Sequence, residues 1–104
     1  MIRRGLVLDE FARFDIDEAS EWYEQISLSL RERFTRTLNS IFLIVQEYPL
    51  AFQIVHKDVH RVLLKDFPYM VLYRVFPDEI IVYGVIHTSR NPTTWIERNF
   101  PTPQ

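Results

Sequence analysis

The chain has no cysteine and only two glycines, Gly5 and Gly84, in 104 residues. Without cysteine there is no disulfide framework and no thiolate metal site, and a reducing cytoplasm is the expected home. Two isolated glycines leave no Gly-rich loop of the kind that cradles phosphates. No apolar run is long enough to span a membrane, so no membrane partner is expected. Met1-Ile2-Arg3-Arg4 leads only into a short apolar stretch broken by Asp9 and Glu10, so no signal peptide is expected either.

An excess of one charge is also lacking. The formal net charge is −2, with six Arg against nine acids in residues 1–50 and six Lys or Arg against five acids in residues 51–104. Neither half carries the surplus cation of a protein that docks mainly through nucleic-acid phosphates. His56 and His60 flank Lys57-Asp58 with no cysteine or carboxylate cluster nearby, a poor spacing for a metal. No Ser-His-Asp order is present that one small fold would assemble. Neither metal nor cofactor is expected.

What is present suits a single domain over residues 1–104, 47% hydrophobic and 25% charged. Gly5–Leu8 reads as a strand and Asp9 as a helix N-cap. Ala12, Ile16, Ala19, Tyr23 and Ile26 recur at steps of four and three, one face of a helix. Asp17, Glu18, Glu21 and Glu24 fill much of the remainder and read as solvated surface. Trp22 falls just off the stripe, where it either widens it or meets a partner.

Ser29 and Glu32 have capping-box spacing before a second series, Phe34, Leu38, Ile41, Val45 and Tyr48, which Pro49 ends. A three-residue gap predicts an antiparallel helical hairpin. Ile41-Phe-Leu-Ile-Val45 is apolar around the whole helix, so it is either buried on several sides or covers a partner.

Past Pro49 the period changes to two. Val59–Lys65, Tyr69–Phe76 and Glu79–His87 read as strands, with Phe67-Pro68 and Pro77-Asp78 as turns. Phe52–Val55 reads as a further short strand or an extended lead-in. Such short turns favour an antiparallel meander. Pro92 restarts the chain as a short helix through Glu97, and Phe100–Gln104 is expected to fray.

The middle strands are apolar on both faces. Tyr69, Val71, Tyr73 and Val75 alternate with Met70, Leu72, Arg74 and Phe76. Ile80, Val82, Gly84 and Ile86 alternate with Ile81, Tyr83, Val85 and His87. One helical hairpin covers one face of such a sheet, so the other is expected to lie exposed or under a partner chain. The expected fold is therefore α+β: an N-terminal strand, a helical hairpin on one face of a mainly antiparallel meander, and a short C-terminal helix.

This order resembles the RelE/ParE toxin superfamily, the toxic halves of bacterial type II toxin–antitoxin pairs. The resemblance rests on Arg61 and Leu64, Phe67-Pro68-Tyr69, Tyr73, and His87, Arg90, Pro92 and Trp95, with further likeness around Trp22-Tyr23. It covers about residues 5–98. RelE-like members cut mRNA on the ribosome with a cluster of cations. Arg61 and Arg90 fall on two of those positions, but Leu63 and Met70 fall where further cations are usual. Ile96, or at best Trp95, falls where a catalytic Tyr is usual. The series His87-x-x-Arg90-x-Pro92-x-x-Trp95 is more similar to the ParE branch. That implies a non-enzymatic toxin that binds DNA gyrase, is neutralised by a ParD- or RelB-like antitoxin, and meets DNA only through that antitoxin. An mRNA interferase, with Arg61, His87 and Arg90 as its catalytic groups, and a non-toxic chain that only binds antitoxin are the alternatives.

Arg61, Lys65, Arg74, His87, Arg90 and Trp95 are thus the candidate target- or antitoxin-binding residues. Each has a plainer reading. The four cations could be exposed strand residues that discourage edge pairing. His87 could be a strand-end residue bonded to backbone rather than an acid or base. Trp95 could pack the C-terminal segment onto the sheet. Tyr69 and Tyr73 read as core, with hydroxyls at its rim. Arg61 and Arg90 are expected together, toward the sheet face or edge that the helices leave open.

Overall fold

A computed structural model describes residues 4–96 and residue 98. The expected helix end at Glu97 and the expected fraying of Phe100–Gln104 fall outside the described residues. β1 (Gly5–Leu8) is followed by two helices, α1 (Glu10–Ile26) and α2 (Leu28–Glu47). Then come β2 (Ile54–His56), β3 (Val59–Leu63), β4 (Tyr69–Val75), β5 (Glu79–His87) and α3 (Thr93–Ile96). The sheet runs β1-β5-β4-β3-β2. β1 pairs with β5 in parallel, because the helical hairpin carries the chain across, and the other pairs are antiparallel. The architecture is the α+β arrangement expected.

Local chemistry sets the helix ends. Asp9 caps α1, its carboxylate accepting from the Ala12 N–H at 2.9 Å, while its own N–H donates to the Val82 carbonyl and ties the helix start to β5. The hairpin turns on one residue, not three. Ser27 lies in an extended conformation, donates its N–H to the Tyr23 carbonyl and accepts at Oγ from the Leu30 N–H. It therefore closes α1 and opens α2 at once, and the expected cap at Ser29 lies inside α2. The tighter reversal leaves Ile26 and Leu28 exposed at the tip. At the other end α2 stops at Glu47, before Pro49.

The main core lies between hairpin and sheet: Ala12, Ala19 and Tyr23 from α1, Phe34, Leu38 and Val45 from α2, and Val62, Val71, Tyr73, Ile80, Val82 and Val85 from the strands. Tyr23, Phe34, Phe67 and Tyr69 meet at its end near the hairpin tip, with ring centroids 5.1 to 6.3 Å apart. The Tyr73 hydroxyl donates to the Pro49 carbonyl at 2.6 Å, and burial pushes its pKa up. His60 stacks on the Tyr73 ring, and its Nδ1 lies 2.9 Å from the Phe52 carbonyl.

The second face of the sheet departs from expectation in two ways. β5 bulges at Tyr83, because Leu72 pairs with Gly84 but Tyr73 pairs with Val82. Strict alternation fails past that residue: Val85 joins Ile80 and Val82 under the hairpin, and Ile86 turns to the other side. Part of that other side is covered from within the chain. Trp95 of α3 packs on Val59, Met70, Leu72 and Ile86, and only 4% of the indole residue remains exposed. Ile41-Phe-Leu-Ile-Val45 divides instead: Val45 is buried, while Leu43 and Ile44 face solvent.

Candidate functional site

β5 delivers His87 to the end of the sheet, and a turn follows in which Thr88 donates to the Pro68 carbonyl and Arg90 to the His87 carbonyl. The turn folds Ser89 back over the imidazole, so that the Ser89 N–H donates to His87 Nδ1 at 3.1 Å. This is the backbone-bonded strand-end histidine allowed by the sequence. It also leaves Nε2 as the protonated nitrogen of the neutral ring. The ring meets that of Tyr69 edge-on at 5.2 Å.

α1 forms the opposite wall. Asp15 and Glu18, three residues apart, share one helix face. Glu18 sits 3.5 Å from the Arg90 guanidinium in a pair more than half exposed on both sides. Trp22, one turn further on and 59% exposed, joins Tyr69, His87, Ser89 and Arg90 around an open cleft of about 300 Å³. Burial raises the Tyr69 pKa, and the Glu18 carboxylate adds to the rise. Its hydroxyl is therefore a donor at physiological pH.

Beneath the cleft lies a pair that sequence reading did not single out. The Asp15 carboxylate takes the Arg98 guanidinium through two bonds, at 2.8 and 3.1 Å, and also accepts from the Val85 N–H at 3.0 Å. Arg98 donates as well to the Tyr83 carbonyl and lies over the Phe11 ring. A Cβ on Gly84 would fall 2.8 Å from Arg98 Nη1 and 3.3 Å from Asp15 Oδ2. Any larger residue there would push the Arg98 guanidinium aside, and a lone glycine within a strand was the one available signal. The partners, 83 residues apart, gave no sign of each other.

The remaining candidates go elsewhere. Arg61 lies on the second face, opposite Leu72, and binds the Gln53 side chain at 2.7 Å. Arg90 sits on the hairpin side against Glu18, so the two arginines are not brought together as expected. Arg74 is no exposed strand cation. It is 3% exposed, paired with Asp58 of the β2–β3 turn and lying over the Tyr83 ring. Lys65 is exposed in the turn after β3. Trp95 is core, with its Nε1 buried and without a hydrogen-bond partner. Among the described residues no helix is long and apolar enough to cross a membrane.

A family model described as the ParE toxin of the type II toxin–antitoxin system parDE matches residues 6–92. The chain belongs to the ParE toxin family. Its fold is also similar to a chain of the chromosomal ParDE toxin–antitoxin system from P. aeruginosa, with a TM-score of 0.73. That likeness covers 84% of this chain and 98% of the other at 16% identity. None of the curated proteins matches this chain. For a ParE toxin the partner of the system is a ParD antitoxin. The family match spans every residue that lines the cleft and ends just before α3, so Arg98 beneath it lies outside the match.

Proposed function

We propose that this ParE toxin acts in the cytoplasm as a protein-binding inhibitor of DNA gyrase and that a cognate ParD-type antitoxin neutralises it. The observation that carries this reading is the dispersal of the cations. Cleavage of RNA needs a base for the 2′-hydroxyl and a group of cations on the developing charge. Here Arg74 is paired with Asp58 and Arg61 with Gln53 on the second face, while Arg90 lies apart from both, on the hairpin side of the sheet near Glu18. What faces solvent instead is an arginine beside a large aromatic, the residue types that dominate protein–protein hot spots.

One observation favours the interferase alternative: His87, Tyr69, Ser89 and Arg90 line one cleft, and His87 Nε2 carries the proton of the neutral ring. Expression from an inducible promoter, with and without the antitoxin, separates the readings. The expected result is filamentation, an SOS response and loss of supercoiling by purified gyrase, all reversed by antitoxin. Cleaved mRNA with intact supercoiling would favour the interferase. Normal growth would mark a chain that only binds its antitoxin.

A further inference from the structure

The cleft between α1 and the end of β5 has an unusual balance of groups. One wall is an exposed indole, and the strip it begins continues along α1 to Ile26, one turn later, and to Leu28 at the hairpin tip, both largely exposed. The other wall offers hydrogen-bond donors: the Arg90 guanidinium, Nε2 of His87 and the Tyr69 hydroxyl. Ser89 occupies the Nδ1 of His87 and so fixes which ring nitrogen is left to donate. Among the described residues Arg90 forms one ion pair, with Glu18 at 3.5 Å, and both side chains are more than half exposed. The contact is loose enough for another carboxylate to take its place.

We propose that this cleft docks a partner polypeptide through one acidic side chain next to an apolar one, the carboxylate displacing Glu18 from Arg90 and the apolar group lying on Trp22. The inference rests on reading the chain as a protein-binding toxin, and it names the chemistry of the segment this cleft would accept. The surrounding charge argues for a single carboxylate over a nucleic-acid backbone. Asp15 and Glu18 line a small hollow beside the cleft that shares Tyr69, His87 and Arg90 with it, and Asp17, Glu21 and Glu24 are exposed on the same helix. A string of phosphates would meet this acidic helix all along its length, whereas one carboxylate replaces one already present. The aromatic wall then adds contact area that an anion alone would not use.

The two tryptophans make the test direct, because Trp22 is exposed and Trp95 is buried on the far face of the sheet. The full chain, labelled with nitrogen-15, is titrated with an acetylated and amidated Ala-Ala-Leu-Glu-Leu-Ala-Ala peptide, with its Gln counterpart, and with AMP. The Trp22 indole signal should move saturably with the Glu peptide while that of Trp95 stays in place. Replacing Glu by Gln in the peptide, or Arg90→Ala in the protein, should weaken binding at least about tenfold, the loss of a charge-assisted hydrogen bond. Glu18→Gln should tighten it by up to roughly fivefold, because a surface competitor is removed. No response to the Glu peptide, an equal response to the Gln peptide, or movement of Trp22 with AMP alone would overturn the proposal. Growth arrest that antitoxin reverses, in a chain that ignores the peptide, would sink this inference and leave the functional reading standing. Peptide binding by a chain that neither arrests growth nor binds antitoxin would do the reverse.

Discussion

Two arginines from the segment after β5 reach back to two acids on the same face of α1, and they do so for different ends. Arg98 and Asp15 are about nine-tenths buried, joined by two bonds and tied into the backbone of β5. Arg90 and Glu18 are more than half exposed and touch at one longer distance. The residue types and the helix face are the same. Burial separates them: taking a charge from water makes its partner indispensable, whereas an exposed pair is exchangeable. The deeper pair holds the segment that shapes the cleft, and the shallower pair is free to be replaced by a ligand.

The comparison can be broken from its deep end first. Asp15→Ala should leave Arg98 with a lost partner and the Val85 N–H unpaired, at a cost of about 3 kcal/mol or more. The expected drop in melting temperature exceeds roughly 10 °C for a domain of this size. A variant that melts within a degree or two of the parent would show that the pair holds nothing. Next comes Gly84→Ala. Its Cβ would press on the Arg98 guanidinium at 2.8 Å, and the expected loss is about 1–3 kcal/mol by urea denaturation. Gly84→Ala combined with Asp15→Ala should cost less than the sum, since both loosen one contact.

At the shallow end, Glu18→Ala should change stability by less than about 1 kcal/mol in a thermal melt. A larger loss would make Arg90–Glu18 structural and undercut the distinction. The smallest effect is expected at Asp9, whose carboxylate is pushed up by burial even though it caps α1. With its folded pKa above the unfolded value, ionisation is disfavoured in the folded state. Its contribution to stability is fully present below the unfolded pKa and falls as pH rises through the folded one. Asp9→Asn keeps the cap and removes that charge, so at neutral pH it should be neutral or stabilising by a few tenths of a kcal/mol. A clear loss at neutral pH would mean that the charge itself is needed.

Most of the fold was legible because hydrophobic period and cap chemistry are local. Gly5–Leu8, the cap at Asp9, the stop at Pro49 and the bounds of β5 follow from neighbours in sequence. The misses are places where two local solutions competed or where distant residues decide. Ser27 and Ser29 are both good caps, and only the geometry of a one-residue reversal selects Ser27. Parity past Tyr83 fails because the bulge depends on pairing with β4. Arg74 shares a strand face with Met70 and Leu72 yet, as a cation, reads as exposed or partner-binding, and its burial follows from Asp58 reaching it from a turn 16 residues away. Of the candidate site, His87, Arg90 and Trp22 were visible as residues, but their meeting with Tyr69 and Glu18 was not. Asp15 and Arg98 were missed because neither carries a motif.

The central claim is that Arg90 serves binding while taking little part in holding the fold. Its most direct test is growth arrest on induced expression of Arg90→Ala, in a variant first shown to melt close to the parent. Loss of arrest by the folded variant, while folded His87→Ala keeps most of it, is the predicted result, because binding needs the cation and no proton is transferred. Full arrest by folded Arg90→Ala, with arrest abolished in folded His87→Ala, would contradict the account and favour acid–base chemistry at His87.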